Sequence, residues 1–481
     1  MLFNSLFFLF VFFPIVAGLY YLIPHRYRWC WLLLASCYFY MSFIPGYLLI
    51  LAFTISIDYV AGIYIEKLSG AKKRNFLLLS IVSNIGILFI FKYFNFFNAN
   101  LSELASLFHW NYSLENLSII LPIGLSFHTF QSLSYIIEVY RGRQKAERNF
   151  GIFALYVMFF PQLVAGPIER PQHLLHQFTE KHSFRIGQFM SGMRLILWGL
   201  CKKVVIADRV SVFVNQIFNN AHDYAGPHFI LATFLFAFQI YCDFSGYSDM
   251  ARGLARTLGF ELMINFNAPY FSKSVSEFWH RWHISLSTWF RDYVYIPLGG
   301  NRVPHTRWLG NILITFLLSG MWHGANWTFV VWGLLNGLYI LTSVLTQEIR
   351  LKINRFTHYE GTAAQHVLSV AFTFLLIGAS WIFFRARSLS DAWYIFGQIL
   401  SNGGDFSRVQ PFLHQHFAAL TISFCAIGAL MIADYGITHK TQFERLRQTP
   451  IAFQIMGYSC AILIIVALGK FTNEQFIYFQ F

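Results

Sequence analysis

Two histidines set among tryptophans are the side chains of this chain best suited to moving a proton near neutral pH: His283 in FWHRWHISLS and His323 in LSGMWHGANW. His323 stands between Trp322 and Gly324 inside an otherwise apolar stretch, 317–337. Ionisable groups in such stretches are costly and tend to mark functional paths. A neutral imidazole is the least costly of them, so a packed, hydrogen-bonded structural histidine would account for the same residue. A placed imidazole can take the proton from a hydroxyl as that hydroxyl attacks an activated acyl group. Indole, amide or backbone N–H groups can then hold the oxyanion. The chain has no GxSxG elbow, HExxH pair or Walker loop, so hydride, phosphate-hydrolysis and zinc chemistry lack support, and no metal ligand is assigned.

Around the histidines lie further candidates for a polar tunnel or substrate site. The block 274–302 contributes Arg281, Trp282 and Ser285, together with Trp279, His280, Trp289, Arg291 and Asp292. It is too polar for a lipid-facing helix and too aromatic for a solvated loop. It could line a cavity, or begin as an amphipathic helix at the cytoplasmic face with its tryptophans at the interface. Trp322 and Asn326 flank His323, and Gly320, Gly324 and Gly333 allow close backbone approach or a local break, which suggests a helix opened around the imidazole. Asp243 and Asp249, in YCDFSGYSDMARG, could pair with Arg281 or Arg291 as structural ions. His128 reads as cavity wall or packing.

The chain ends NEQFIYFQF, an apolar hook of Phe476, Tyr478, Phe479 and Phe481 with one phenol, where a frayed polar end is the usual expectation. The alternative is an aromatic interfacial anchor.

The elements that must position these residues belong to a membrane. Of 481 residues 56% are hydrophobic, 19% aromatic and 12% charged, against about 25% charged in soluble chains. An all-α polytopic membrane protein follows, with spans expected near 5–23, 29–45, 47–65, 75–94, 118–139, 190–206, 229–247, 309–346 (two pieces around a break), 365–384, 416–436 and 451–470. The first span lacks a basic leader and a small-x-small cleavage site, and is expected to be retained. The stretch 150–187, broken by Pro161, Gly166, Pro167 and Pro171, is expected to be re-entrant and shielded by protein. No soluble domain or internal repeat is visible, so residues 1–481 read as one transmembrane domain with an aromatic tail at 471–481.

The net charge of +13 is concentrated in short loops (25–28, 66–74, 141–148, 347–355 and 439–447), which suits an anionic inner leaflet rather than nucleic acid. The 95–117 connection has no Lys or Arg. The positive-inside rule then places those loops in the cytoplasm and both termini outside it. The six cysteines show no CxxC spacing and read as buried hydrophobes, neither disulfides nor zinc ligands.

The blocks FWHRWHISLSTWFRDYVYIPLGGNR and LSGMWHGANWTFVVWG, with LPIGLSFHTFQSLSYIIEVYRG, LVAGPIERP and YCDFSGYSDMARGLA, resemble the membrane-bound O-acyltransferase family, in its bacterial polysaccharide-modifying branch. The resemblance runs from the first span to the last residue. It implies about eleven spans and re-entrant or interfacial helices around a central funnel or tunnel, in the bacterial cytoplasmic membrane. It implies a catalytic role for His323 in the W-H-G block and for His283 in R-W-H-x-S-L-S. His280 stands where another residue, often Arg, is expected, so no role is carried over to it. Acetyl-CoA from the cytoplasm is the implied donor, with no bound cofactor. An extracytoplasmic transferase of the SGNH type is the implied partner.

In a related D-alanylation system a small separate peptide ends in F-x-Y-x-x-F, whose Tyr is thought to accept the acyl group. Residues 476–481 match that motif on the chain itself. The implied route is a relay: Tyr478, deprotonated by His323 with help from His283, takes acetyl and passes it outward to a glycan. D-alanyl transfer from a carrier protein to teichoic acid is one alternative, and a eukaryotic-type lipid or protein acyltransferase another. A transporter with a His and Asp proton relay is a third, of a different class.

Overall fold

The computed structural model describes residues 1–164, 166–356, 361–438, 450–471 and 476–477. Among these there is no β-strand, and the chain is an all-α, multi-pass membrane protein. Among the described residues six helices are long and apolar enough to cross a bilayer: Tyr47–Lys67, Gly70–Leu107, Gly226–Thr257, Trp327–Leu345, Ala363–Arg385 and Phe417–Gly436. The helix expected to end near 94 runs on to Leu107, because a π-helical turn, Phe89–Tyr93, carries it into Phe94–Leu107 without a break. The expected span at 118–139 starts instead at Leu125. Its N-cap Gly124 has φ 76°, and a Cβ there would meet Leu163 O at 2.6 Å.

The chain divides into two compact units. The first comprises Met1–Ile196 with Tyr247–Met263. It contains a buried polar knot: Asp58 accepts from Ser80 Oγ (2.5 Å) and Asn84 Nδ2 (2.9 Å). Neutral donors thus hold a carboxyl group that would otherwise be costly to bury. His128 sits in the same unit, bonded to Gly124 O (3.1 Å) within its own helix, in keeping with a packing role. The helix Phe150–Met158 is capped by Asn149, which accepts from Gly151 N and Ile152 N. The helix breaks at Phe159, and residues 152–164 are buried throughout. Irregular backbone in an apolar chain has to be shielded in this way.

The second unit comprises Leu197–Gly246 with Ile264–Phe481. Here the helix ending at Cys201 passes through a π-helical segment, Lys202–Ala207, into Asp208–Asn219. The widened turn buries both Lys202 and Lys203. Val204 and Val205 of the same segment pack with Ile465 of the last helix, Ile451–Leu468. Opposite runs Gly226–Thr257, whose Gly246 lies so close that a Cβ would meet Gly199 O at 2.7 Å. The stretch expected as two pieces is a hairpin, His305–His323 and Trp327–Leu345. Beyond Ala363–Arg385 a further helix, Leu389–Asn402, forms that the span pattern did not anticipate.

Candidate active site

His283 lies between two short helices, Val275–Arg281 and Ile284–Phe290, in the left-handed region (φ 42°, ψ 54°). A residue with a Cβ is strained there, by roughly 1–2 kcal/mol. The backbone is held by a neighbour 18 positions earlier, Asn265, whose carbonyl accepts from Ile284 N (2.9 Å). The side-chain oxygen of Asn265 accepts from Ser285 N (3.1 Å) and Ser285 Oγ (2.9 Å), and lies 3.2 Å from His283 Nδ1. A backbone N–H can only donate, so the atom facing Ser285 N is the amide oxygen. Nδ1 of His283 must then carry a proton to donate to it. That fixes the tautomer and makes Nε2 the imidazole's acceptor atom. Burial pushes His283 down to about 3, so it is neutral at physiological pH. Asn265 carried no signal in the sequence, where it stands between Ile264 and Phe266 as one polar residue in a mixed loop.

The ring of His283 is packed edge-on against Phe244 (4.5 Å between centroids, 89°) and lies 6.1 Å from Trp322. Trp322 in turn touches His323 (5.0 Å). His323 is the last residue of its helix, and Gly324 is fully extended. The next helix begins at Trp327, with Asn326 as its N-cap accepting from Thr328 N (3.0 Å). The expected opening at the imidazole is therefore present. Asn326 spends its side chain on this cap and on Arg387 O (3.2 Å). Trp332 (4.9 Å) and Phe384 (5.2 Å) complete an aromatic wall around His323, backed by Trp381 and Trp282. The indole N–H groups of Trp332 and Trp381 are buried without a hydrogen-bond acceptor among the described residues.

The expected pairing of Asp243 with Arg281 or Arg291 does not occur. Arg281 bonds Glu277 on its own helix (2.6 Å), and Arg291 its neighbour Asp292 (2.9 Å). Asp249, on the same long helix, pairs with Arg252 one turn on (3.2 Å). Asp243 meets Lys203 (2.6 Å), which also holds Asp208 (2.7 Å). The cause is geometric: the π-helical turn aims a lysine inward from what reads in sequence as the end of an apolar span. The other carboxylate oxygen of Asp243 accepts from the backbone N–H of Ile477 (2.8 Å). Phe476, fully buried, packs its ring 5.5 Å from Phe244. So the tail reaches the phenylalanine that contacts His283. Tyr478, the next residue, lies outside the described residues.

A model of the membrane-bound O-acyltransferase family matches residues 148–384, a span containing both histidines. A relative from Azotobacter vinelandii, named a probable alginate O-acetylase AlgI, is 39% identical over 444 residues, covering 91% of this chain and 85% of the relative. The chain belongs to the membrane-bound O-acyltransferase family. The peptidoglycan O-acetyltransferase of Helicobacter pylori is 32% identical, covering 100% of this chain and 98% of that protein. The teichoic acid D-alanyltransferase of Streptococcus thermophilus is more distant, 28% identical over 58% of this chain and 71% of its own length. As a member of this family the chain is an acyltransferase. Asp243, Asn265, His283 and His323 fall within the matched span, and the docked tail falls beyond it.

Proposed function

We propose that this acyltransferase carries acetyl groups from cytoplasmic acetyl-CoA across the bacterial inner membrane for O-acetylation of an extracytoplasmic polysaccharide, with Tyr478 as the acyl carrier. The observation that carries the reading is the docking of Phe476 and Ile477 beside Phe244, which itself packs on His283. A lipid-facing anchor would leave Phe476 exposed, and it is fully buried. The names of the A. vinelandii and H. pylori relatives support acetyl as the group and a cell-envelope or secreted glycan as its destination.

In the first step the phenolic oxygen of Tyr478 attacks the thioester carbonyl as His323 takes its proton. The O–C bond forms, the C–S bond breaks, and the proton passes to the departing thiolate to give CoA-SH. His283 offers Nε2 as a second acceptor along that path. The buried indole N–H of Trp332 is suited to the oxyanion. In the second step a glycan hydroxyl takes acetyl from the tyrosyl ester and returns the phenol. Delivery to the glycan falls to a separate extracytoplasmic transferase. The second step requires the tail outside the cytoplasm, and the distribution of the basic loops under the positive-inside rule supports that reading. No cofactor is needed beyond the donor.

The test is mass spectrometry of the C-terminal peptide after incubation with isotopically labelled acetyl-CoA. Label on Tyr478 in the natural protein and none in His323→Ala is the expected result. Transfer that persists in Tyr478→Phe would remove the carrier. Label from carrier-bound D-alanine but not from acetyl-CoA would favour the teichoic-acid reading. Proteoliposome flux surviving His323→Ala would favour transport.

A further inference from the structure

A buried cation between two buried carboxylates is an expensive arrangement that persists only where its groups are well paired and hydrogen-bonded. Lys203 offers one positive charge to Asp208 and Asp243, and all three side chains are at most 4% exposed. Asp243 sits mid-helix within Gly226–Thr257, away from any helix end. Its second oxygen is satisfied by the N–H of Ile477, 234 residues away, at 2.8 Å. A charged acceptor makes such a bond about twice as strong as a neutral one.

The tail is also tied upstream to the same π-helical region. Lys470 N donates to Val204 O (2.9 Å), and Arg209 donates to Leu468 O. Between these ties and Ile477 only six residues intervene.

We propose that Asp243, charge-balanced by Lys203, is a positioning residue that docks the tail through the main-chain N–H of Ile477. It thereby fixes the register in which the following residue, Tyr478, is offered to the imidazoles. The recognition is of backbone rather than side chain, with Phe476 seated against Phe244 as the companion contact. Consecutive Cα atoms are about 3.8 Å apart, so fixing Ile477 limits where the next side chain can reach. The role assigned to Tyr478 rests on the proposed function. The docking itself does not.

The experiment reads docking and turnover separately, in full-length protein in nanodiscs. Docking is hydrogen exchange of the 471–481 peptide, and turnover is acetyl transfer from acetyl-CoA. Ile477→Pro deletes the donor and leaves the side chains and ion pairs of Lys203, Asp208 and Asp243 in place. Ile477→Val keeps the N–H. Exchange of the tail is expected to quicken about tenfold or more in Ile477→Pro and in Asp243→Ala, and to stay slow in Ile477→Val. The double variant should exchange no faster than either single one, because both remove the same bond. In turnover, kcat should fall with KM for acetyl-CoA unchanged, since the donor site is not altered. Slow exchange in Ile477→Pro, or single effects that multiply in the double variant, would overturn the docking role. Fast exchange with turnover intact would uphold the docking and remove the carrier role of Tyr478 instead.

Discussion

The side-chain oxygen of Asn265 lies 3.2 Å from Nδ1 of His283 and simultaneously takes the backbone and hydroxyl protons of Ser285. One amide therefore sets both the tautomer of the imidazole and the strained turn that carries it. Asn265→Leu removes the acceptor and leaves Ser285 N and Oγ buried without it, a loss of about 1–3 kcal/mol. Acetyl transfer per folded molecule is expected to fall by about tenfold or more, because the imidazole loses its fixed orientation. Asn265→Asp keeps an acceptor for both groups and should retain the fold better. An acetyl-transfer rate in Asn265→Leu equal to that of the natural protein would show that the tautomer is not set here.

Stability should depend on pH through His283. Its folded value is about 3, below the ordinary value of 6.5, so the unfolded chain binds the extra proton between them. The stabilisation is complete above about pH 6.5 and declines as pH falls toward 3. Between pH 7 and pH 5 the loss from this one group is about 2 kcal/mol. Melting in detergent at the two pH values, for the natural protein and His283→Gln, isolates it. The variant should show the smaller drop, and an equal drop in both would assign the acid sensitivity to other groups.

Trp332→Phe tests the oxyanion donor. The indole N–H is buried and has no protein acceptor among the described residues, so its removal costs no internal hydrogen bond. The aromatic contacts to His323 (4.9 Å) and Phe384 (5.3 Å) are largely kept. The expectation is a kcat about tenfold to a thousandfold lower, with a melting temperature changed by little. A lower melting temperature with unchanged kcat would make the indole a packing residue only.

These relationships differ in how far the sequence discloses them. The break at His323 is legible because glycine, histidine and asparagine interrupt an apolar run, and each has a local reason to do so. Asn265 is not, since its partners lie 18 and 20 positions away and the pairing depends on a turn no pattern encodes. The ion partner of Asp243 is hidden in the sequence for a related reason. Arg281 and Arg291 stand out in a polar block, whereas Lys203 faces inward only because a π-helical turn adds one residue to an otherwise ordinary helix. The aromatic tail is conspicuous in sequence, but its seat beside Asp243 and Phe244 comes from the fold.

The hairpin that presents His323 is held by glycines with no room for a methyl group. A Cβ on Gly320 would stand 2.3 Å from Phe329 O and 3.0 Å from the Cα of Gly333, both backbone atoms of the facing helix. Neither can turn aside, so Gly320→Ala must push the two helices apart three residues before the imidazole. The expected cost is about 1–3 kcal/mol of stability together with a fall in kcat, as His323 shifts against Trp332 and Phe384. Gly310, on the same helix, meets nothing within 4 Å. Gly310→Ala should be neutral or stabilise the helix by about 0.5–1 kcal/mol. Thermal melts and acetyl-transfer rates of the two variants, side by side, separate helix propensity from interhelical contact. Equal behaviour of the two would mean that close packing at Gly320 does not govern the site.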